Sequence, residues 1–242
     1  MSSAITLQAV MNWAEPFLKN QETTTSNLEP ALTSGNKVLQ RLLSAPFRWR
    51  WNRGTVTFPT VVQLDSPTVT DYTVAMPDFG FFEDAWVVDP TGTSFPLEGR
   101  LSLPMDTSAM SVTRPTLIAP QIDDNAGNIT WRLKNGPDQP YDVVISYQKK
   151  PIILPCTAYT FAPVPDEFAF LYQAGFLKEM SLLVNDSRYP IFAKEFASII
   201  LGLQDGLDEQ AKAIFLASLD LYAGTAQRAQ GMGKLGLESR GI

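Results

Sequence analysis

The chain is 242 residues long, 45% hydrophobic, and carries a formal net charge of -6 with no histidine and one cysteine, Cys156. That is room for one large domain or two small ones. It excludes Ser-His-Asp and Cys-His catalysis, an internal disulfide and a cysteine-rich metal centre. No stretch approaches about 18 uninterrupted apolar residues, and the N-terminus lacks the basic, apolar and small-residue succession of a secretory leader. Neither a membrane span nor secretion is therefore expected.

The charge is uneven. Residues 1–53 hold six Lys/Arg against three Asp/Glu, residues 54–163 six against twelve, and residues 164–242 seven against ten. At the start, Ser2 and Ser3 are candidate caps for a helix whose apolar positions Ile5, Ala9, Val10, Trp13 and Phe17 recur at three-to-four spacing, interrupted near Pro16. After the polar run Thr23 to Asn27, Ser34 precedes a second helix with Val38, Leu39, Leu42 and Leu43 on one face, stopped by Pro46. Phe47, Trp49 and Trp51 then alternate with Arg48, Arg50 and Arg53, the period of a strand with one aromatic and one basic face. Two readings of this segment compete: the aromatics pack under the following β block while the arginines are solvated or paired, or the arginines face a partner or a nucleic-acid passage.

From Gly54 to Pro163 the pattern is that of short strands cut by Pro, Gly, Asn and Asp. The best strands are Thr55 to Leu64, Tyr72 to Met76, Ala85 to Val88, Asn128 to Lys134 and Tyr141 to Gln148. Asn135-Gly136-Pro137-Asp138 predicts a turn that joins the last two as an antiparallel hairpin. The many prolines, among them Pro59, Pro96 and Pro120, point to a small sandwich or barrel with long irregular loops. Helical spacing resumes at Pro165-Asp166-Glu167, where acidic residues suit a helix N-terminus. Three helices are expected, carrying Phe168 to Leu183, Phe192 to Leu203, and Ala211 to Tyr222. Gly224 to Ile242 holds five glycines and reads as a flexible tail.

The predicted fold is α+β: a helical bundle of N-terminal and C-terminal helices, interrupted by an inserted antiparallel β-sandwich or barrel. Its parts are a discontinuous helical domain of 1–53 and 164–223, a β domain of 54–163 and a tail of 224–242.

No motif carries chemistry. Glu83-Asp84, Asp89 and Asp123-Asp124 are the available carboxylates for an acid-base pair or a hard metal, but Asp123 to Asn128 lacks the closing glutamate of a calcium loop and reads as a turn. Cys156 has no base near it in sequence, and Gly231-Met232-Gly233-Lys234 departs from a phosphate loop. No catalytic residue, cofactor or metal is expected.

Leu39-Gln40-Arg41-Leu42-Leu43 leading into Phe47 to Arg53, the strand Tyr141 to Gln148, Pro165-Asp166-Glu167-Phe168, Ala174 and Asp186-Ser187-Arg188-Tyr189 together follow a recognisable plan. The chain resembles the head-to-tail adaptor (connector) proteins of tailed bacteriophages, closest in plan to the tail tubular protein A type of podoviruses. The resemblance implies a non-enzymatic virion protein made in the host cytoplasm. It would form a ring of twelve copies between the portal protein and the tail or nozzle protein. DNA would pass through the lumen without sequence-specific binding, and no membrane would be involved. The contact residues expected on this reading are Arg48, Arg50 and Arg53, with Gly224, Arg228, Gly231, Lys234, Arg240 and Ile242 in the tail. An alternative class is a virion carbohydrate-binding or baseplate β-domain module that binds glycans through exposed aromatics; a polysaccharide hydrolase using one of the acidic pairs is a third.

Overall fold

The computed structural model describes residues 4–18, 29–62, 70–103, 111–184, 186–204 and 209–217. The chain is mixed α+β and divides into two compact units, one of residues 1–51 with 151–242 and one of residues 52–150.

In the first unit, α1 (Leu7–Ala14) and α2 (Ala31–Leu43) precede the β residues, and α3 (Ala169–Leu183), α4 (Tyr189–Leu203) and α5 (209–217) follow them. The cap of α1 is Thr6, whose hydroxyl accepts the Ala9 N–H at 3.2 Å; the predicted caps Ser2 and Ser3 lie outside the described residues. Ser34 does not precede α2 but lies inside it, fully buried, because the apolar face already begins at Ala31. The step into α3 is a short 3-10 turn, Asp166–Phe168. The Asp166 carboxylate accepts the N–H groups of Ala4 and Ile5 at 2.9 to 3.1 Å, so its charge fastens the N-terminal segment rather than capping α3.

The middle of α3 is buried on nearly every side, with Leu171, Tyr172, Phe176 and Met180 all solvent-free, and it packs against α1, α2 and α4. Gly175 makes that crossing possible: a Cβ there would stand 2.8 Å from both the Phe196 ring and Val38. Residues 151–163, assigned to the β block on sequence, belong to this unit. Leu154 and Phe161 are buried in its core, Asn36 exchanges two hydrogen bonds with the Leu154 backbone, and Phe161 stacks on Tyr172 at 4.2 Å.

The second unit is one seven-stranded sheet in the order β1-β7-β3-β4-β5-β6-β2. The strands are β1 (Arg53–Pro59), β2 (Asp71–Ala75), β3 (Phe79–Val88), β4 (Ser94–Gly99), β5 (Leu117–Asp123), β6 (Asn128–Lys134) and β7 (Asp142–Lys149). All neighbours are antiparallel except β4 and β5, which are parallel over two residue pairs. The sheet curls into a nearly closed barrel. Its edge strands approach where the Phe58 and Tyr72 rings lie 5.5 Å apart and the Tyr72 hydroxyl accepts the Val61 N–H at 3.3 Å. Phe58, Val143, Ile145, Ile118, Ile129, Trp131 and Leu133, drawn from four strands, share one core.

β6 and β7 are not a hairpin: β7 lies between β1 and β3, and β6 between β5 and β2. The peptide groups of Gly136 instead bond Ser111 and Thr113, so the chain passes through the predicted turn without reversing onto itself. β4 and β5 escaped the sequence reading because Pro96 and Pro120 interrupt them. Both prolines sit where one edge of the strand has no partner, since β4 and β5 pair only at Glu98–Gly99 with Leu117–Ile118.

β5 and β6 do form a hairpin, through Asp123 to Gly127, which agrees with the turn expected there. Asn125 and Gly127 have φ of 57° and 96°, the left-handed conformation that favours these two residue types. The Asp124 carboxylate accepts the N–H groups of Ala126 and Asn128 and the Asn128 side chain, all at 2.6 to 2.9 Å. These bonds, the Asn128 side chain first, hold the Asp124 carboxyl below its usual 3.8. A carboxyl lowered on folding stabilises the turn above 3.8 and ceases to do so as pH falls through its folded value. Asp124→Ala is therefore expected to speed amide exchange at Ala126 and Asn128 while the amides of β7 keep their protection; unchanged exchange at the turn would contradict this.

Candidate interaction site

The aromatic-arginine segment is not a strand. Residues 47–49 belong to no helix or strand and Arg50–Asn52 form a 3-10 turn, although the alternation holds in burial: Phe47 and Trp49 are inside, Arg48 and Arg50 outside. The aromatics pack in the core of the helical unit rather than under the β block. Trp49 and Trp51 stack at 5.2 Å, both face Phe168, and Phe47 meets Phe215 edge-on at 5.1 Å. The Trp49 indole N–H donates to the Leu42 carbonyl at 2.5 Å, which ties the segment to the end of α2. Residues buried and exposed in alternation produce the same sequence signal as a strand, without a neighbour to pair with.

The three arginines do not act as one patch. Arg48 and Arg50 are exposed on the helical unit and form no ion pair among the described residues, whereas Arg53 opens β1 in the other unit. Its guanidinium donates to both oxygens of Glu83 on β3, at 2.5 and 2.7 Å. Gln148 and Ser146 of the intervening β7 donate to the same carboxylate, at 3.2 and 3.4 Å. The Glu83 bond raises the Arg53 guanidinium above its ordinary value. Arg53 is thereby a clasp across β1, β7 and β3. The predicted contact residues Gly224, Arg228, Gly231, Lys234, Arg240 and Ile242 lie outside the described residues.

The other chemistry-bearing candidates are held in structural bonds. The Asp84 carboxylate accepts the Ala85 N–H, and Asp89 closes the β3–β4 turn by accepting from Thr91 and Thr93. Among the described residues no group of three or more His, Cys, Asp or Glu side chains is placed to hold a metal ion.

What the sequence reading missed is a groove in the helical unit, about 810 Å³ in volume, bounded by α2, α3, α5 and the Ser44–Phe47 loop. Its walls are apolar, with Phe47, Leu182, Ile214 and Phe215, and Ile214 is 64% exposed at the lip. Its floor is ionic. Glu179, whose side chain is 3% exposed, receives Arg41 at 3.1 Å and the fully buried Lys178 at 2.6 Å. Lys37 stands exposed one turn before Arg41 on α2. Burial, and after it the Glu179 carboxylate acting in the opposite sense, leaves the Lys178 ammonium below its ordinary 10.5. The sequence did carry a signal: Lys178-Glu179 interrupts an apolar fifteen-residue helix, AFLYQAGFLKEMSLL.

No family model matches the chain, and no curated protein matches its sequence at a significant level.

Proposed function

We propose that this chain is a structural head-to-tail adaptor of a tailed bacteriophage, forming a ring between portal and tail around the DNA passage. The observation that carries the reading is where apolar side chains are left outside. Phe170, Leu183, Ile191 and Ile214 of the helical unit are each 44% to 65% exposed, spread over three helices. Scattered singly, such residues are ordinary; on several faces of a unit built from both ends of the chain they suit lateral and axial packing against other subunits.

In this reading the helices make a bundle that seats on the portal, with Arg48 and Arg50 among its contacts, and the ring has twelve copies. The excess of acidic residues in 54–163, twelve against six, would line or flank the passage. A surface poor in Lys and Arg offers DNA no counterion-release gain, so the duplex slides without sticking. The carbohydrate-binding alternative requires exposed rings on the β unit. There Tyr72, Trp131, Tyr141 and Tyr147 are buried, and Phe79, Phe81, Phe82, Trp86 and Phe95 are half-buried, so the adaptor reading is preferred.

The test is electron microscopy of the purified protein with and without portal rings of the same phage. Rings, free or formed only on the portal, are the expected result. A protein that ignores the portal and binds glycans in a screen would overturn the reading.

A further inference from the structure

We infer that the basic groove bounded by α2, α3 and α5 receives the acidic tip of the β5–β6 hairpin from a second copy of this chain. The inference rests on the assembly reading and adds to it a specific, heterologous subunit contact.

The groove is lined by two cations, Lys37 and Arg41, and one carboxylate, Glu179, which is also bonded from behind by the fully buried Lys178. Both oxygen-seeking neighbours of Glu179 are cations, so the site keeps an excess of positive charge beside apolar walls. The nearest acid on α5, Glu209, is bonded to Lys212 at 2.8 Å, and Lys37 forms no ion pair among the described residues. An occupant that fits must bring an apolar side chain for the Phe47–Ile214–Phe215 wall and a carboxylate for Lys37.

One exposed place in the β unit offers both. Of its exposed large apolar residues Val61, Val62, Leu101 and Ile122, only Ile122 is followed directly by carboxylates, Asp123 and Asp124. Ile122 is 62% exposed, and residues 122–126 are exposed without a break. The tip is already ordered: Asp123 accepts the Asn125 N–H and Asp124 accepts three further bonds, so docking costs little conformational entropy. A contact joining two different surfaces of one chain propagates from copy to copy and closes into a ring when the rotation permits.

The experiment is sedimentation equilibrium of the full chain at low salt, comparing the natural protein with Lys37→Glu, Asp123→Lys, Ile122→Ser and the double variant Lys37→Glu/Asp123→Lys. All three side chains are exposed, so folding is preserved, and Ile122→Ser keeps every hydrogen bond of the turn. Each single variant is expected to weaken self-association by about tenfold or more, as close charge pairs do at interfaces, and the double variant to recover most of it. Self-association that is unchanged in the single variants, or a double variant no better than the singles, overturns the contact while leaving the assembly reading in place. A natural protein that stays monomeric both alone and with portal overturns both.

Discussion

Replacing Glu179 by alanine is expected to destabilise the helical unit by about 3–5 kcal/mol, because it removes the carboxylate from a buried ammonium. Lys178 is completely buried, its Nζ lies 2.6 Å from Glu179 Oε1, and its ring neighbour Phe196, 6.0 Å away, offers only a weak cation-π contact. Arg41, 29% exposed, can turn to water when Glu179 is lost; Lys178 cannot. Replacing both members by apolar side chains, Lys178→Met with Glu179→Leu, is expected to recover most of the loss, since the pair itself adds little net stability over a well-packed apolar substitute. The pH dependence has a definite sign. A lysine whose folded value lies below 10.5 binds fewer protons folded than unfolded in that interval, so its penalty on stability is full below the folded value and fades as pH rises towards 10.5. The Lys178→Met variant is expected to lose this rise. Urea unfolding of the natural protein and the three variants measures the effect, and a Glu179→Ala loss below about 1 kcal/mol would contradict the ionic floor as described.

The second large effect is expected at Trp131→Ala, at about 3–5 kcal/mol, the range for removing a buried aromatic side chain from a core. Trp131 is fully buried on β6 opposite Tyr72 of β2 and Pro120 of β5. Its ring meets Phe79 edge-on at 5.7 Å and Phe82 at 5.8 Å, and its indole N–H points to the Met76 sulfur at 3.3 Å. One side chain thus joins residues of β2, β3, β5 and β6 inside the barrel. Hydrogen exchange is expected to accelerate in β3 and β6. A variant that keeps the natural protection of those strands would show that the barrel core closes without it.

Periodicity revealed where several helices and strands lie, only in part which of their residues are inside, and much less about what they pair with. α2 was legible because its apolar positions at three-to-four spacing, Val38, Leu39, Leu42 and Leu43, are all buried, and Ile129, Trp131 and Leu133 because alternate residues share a strand face. α1 was legible as a helix but not in its inner face: of Ile5, Ala9, Val10, Trp13 and Phe17 only Val10 is buried, and the core side is Leu7, Val10, Met11 and Ala14. Strand pairing was not legible. Asn135, with φ of 76°, and Gly136 satisfy the local chemistry of a turn wherever the next strand goes, and only burial of the whole sheet decided that β7 pairs with β1 and β3. The groove escaped for a different reason. Lys178 and Glu179 occupy buried positions in an apolar helix, a conflict between side chain and environment that is visible in sequence, but Arg41, which completes the site, is 138 positions away and reaches it only through the packing of α2 on α3. Arg53 was singled out as a contact residue from its neighbours in sequence, yet the partner that fixes its role, Glu83, lies across the sheet.

The most direct test of the account is the mass of the purified protein in solution over a range of concentrations, with and without its portal. Self-association into a large closed species, or a monomer that assembles only when portal rings are added, is the predicted result. A monomer that keeps the mass of a single chain at every concentration and in the presence of portal would contradict the claim that this protein works by assembly.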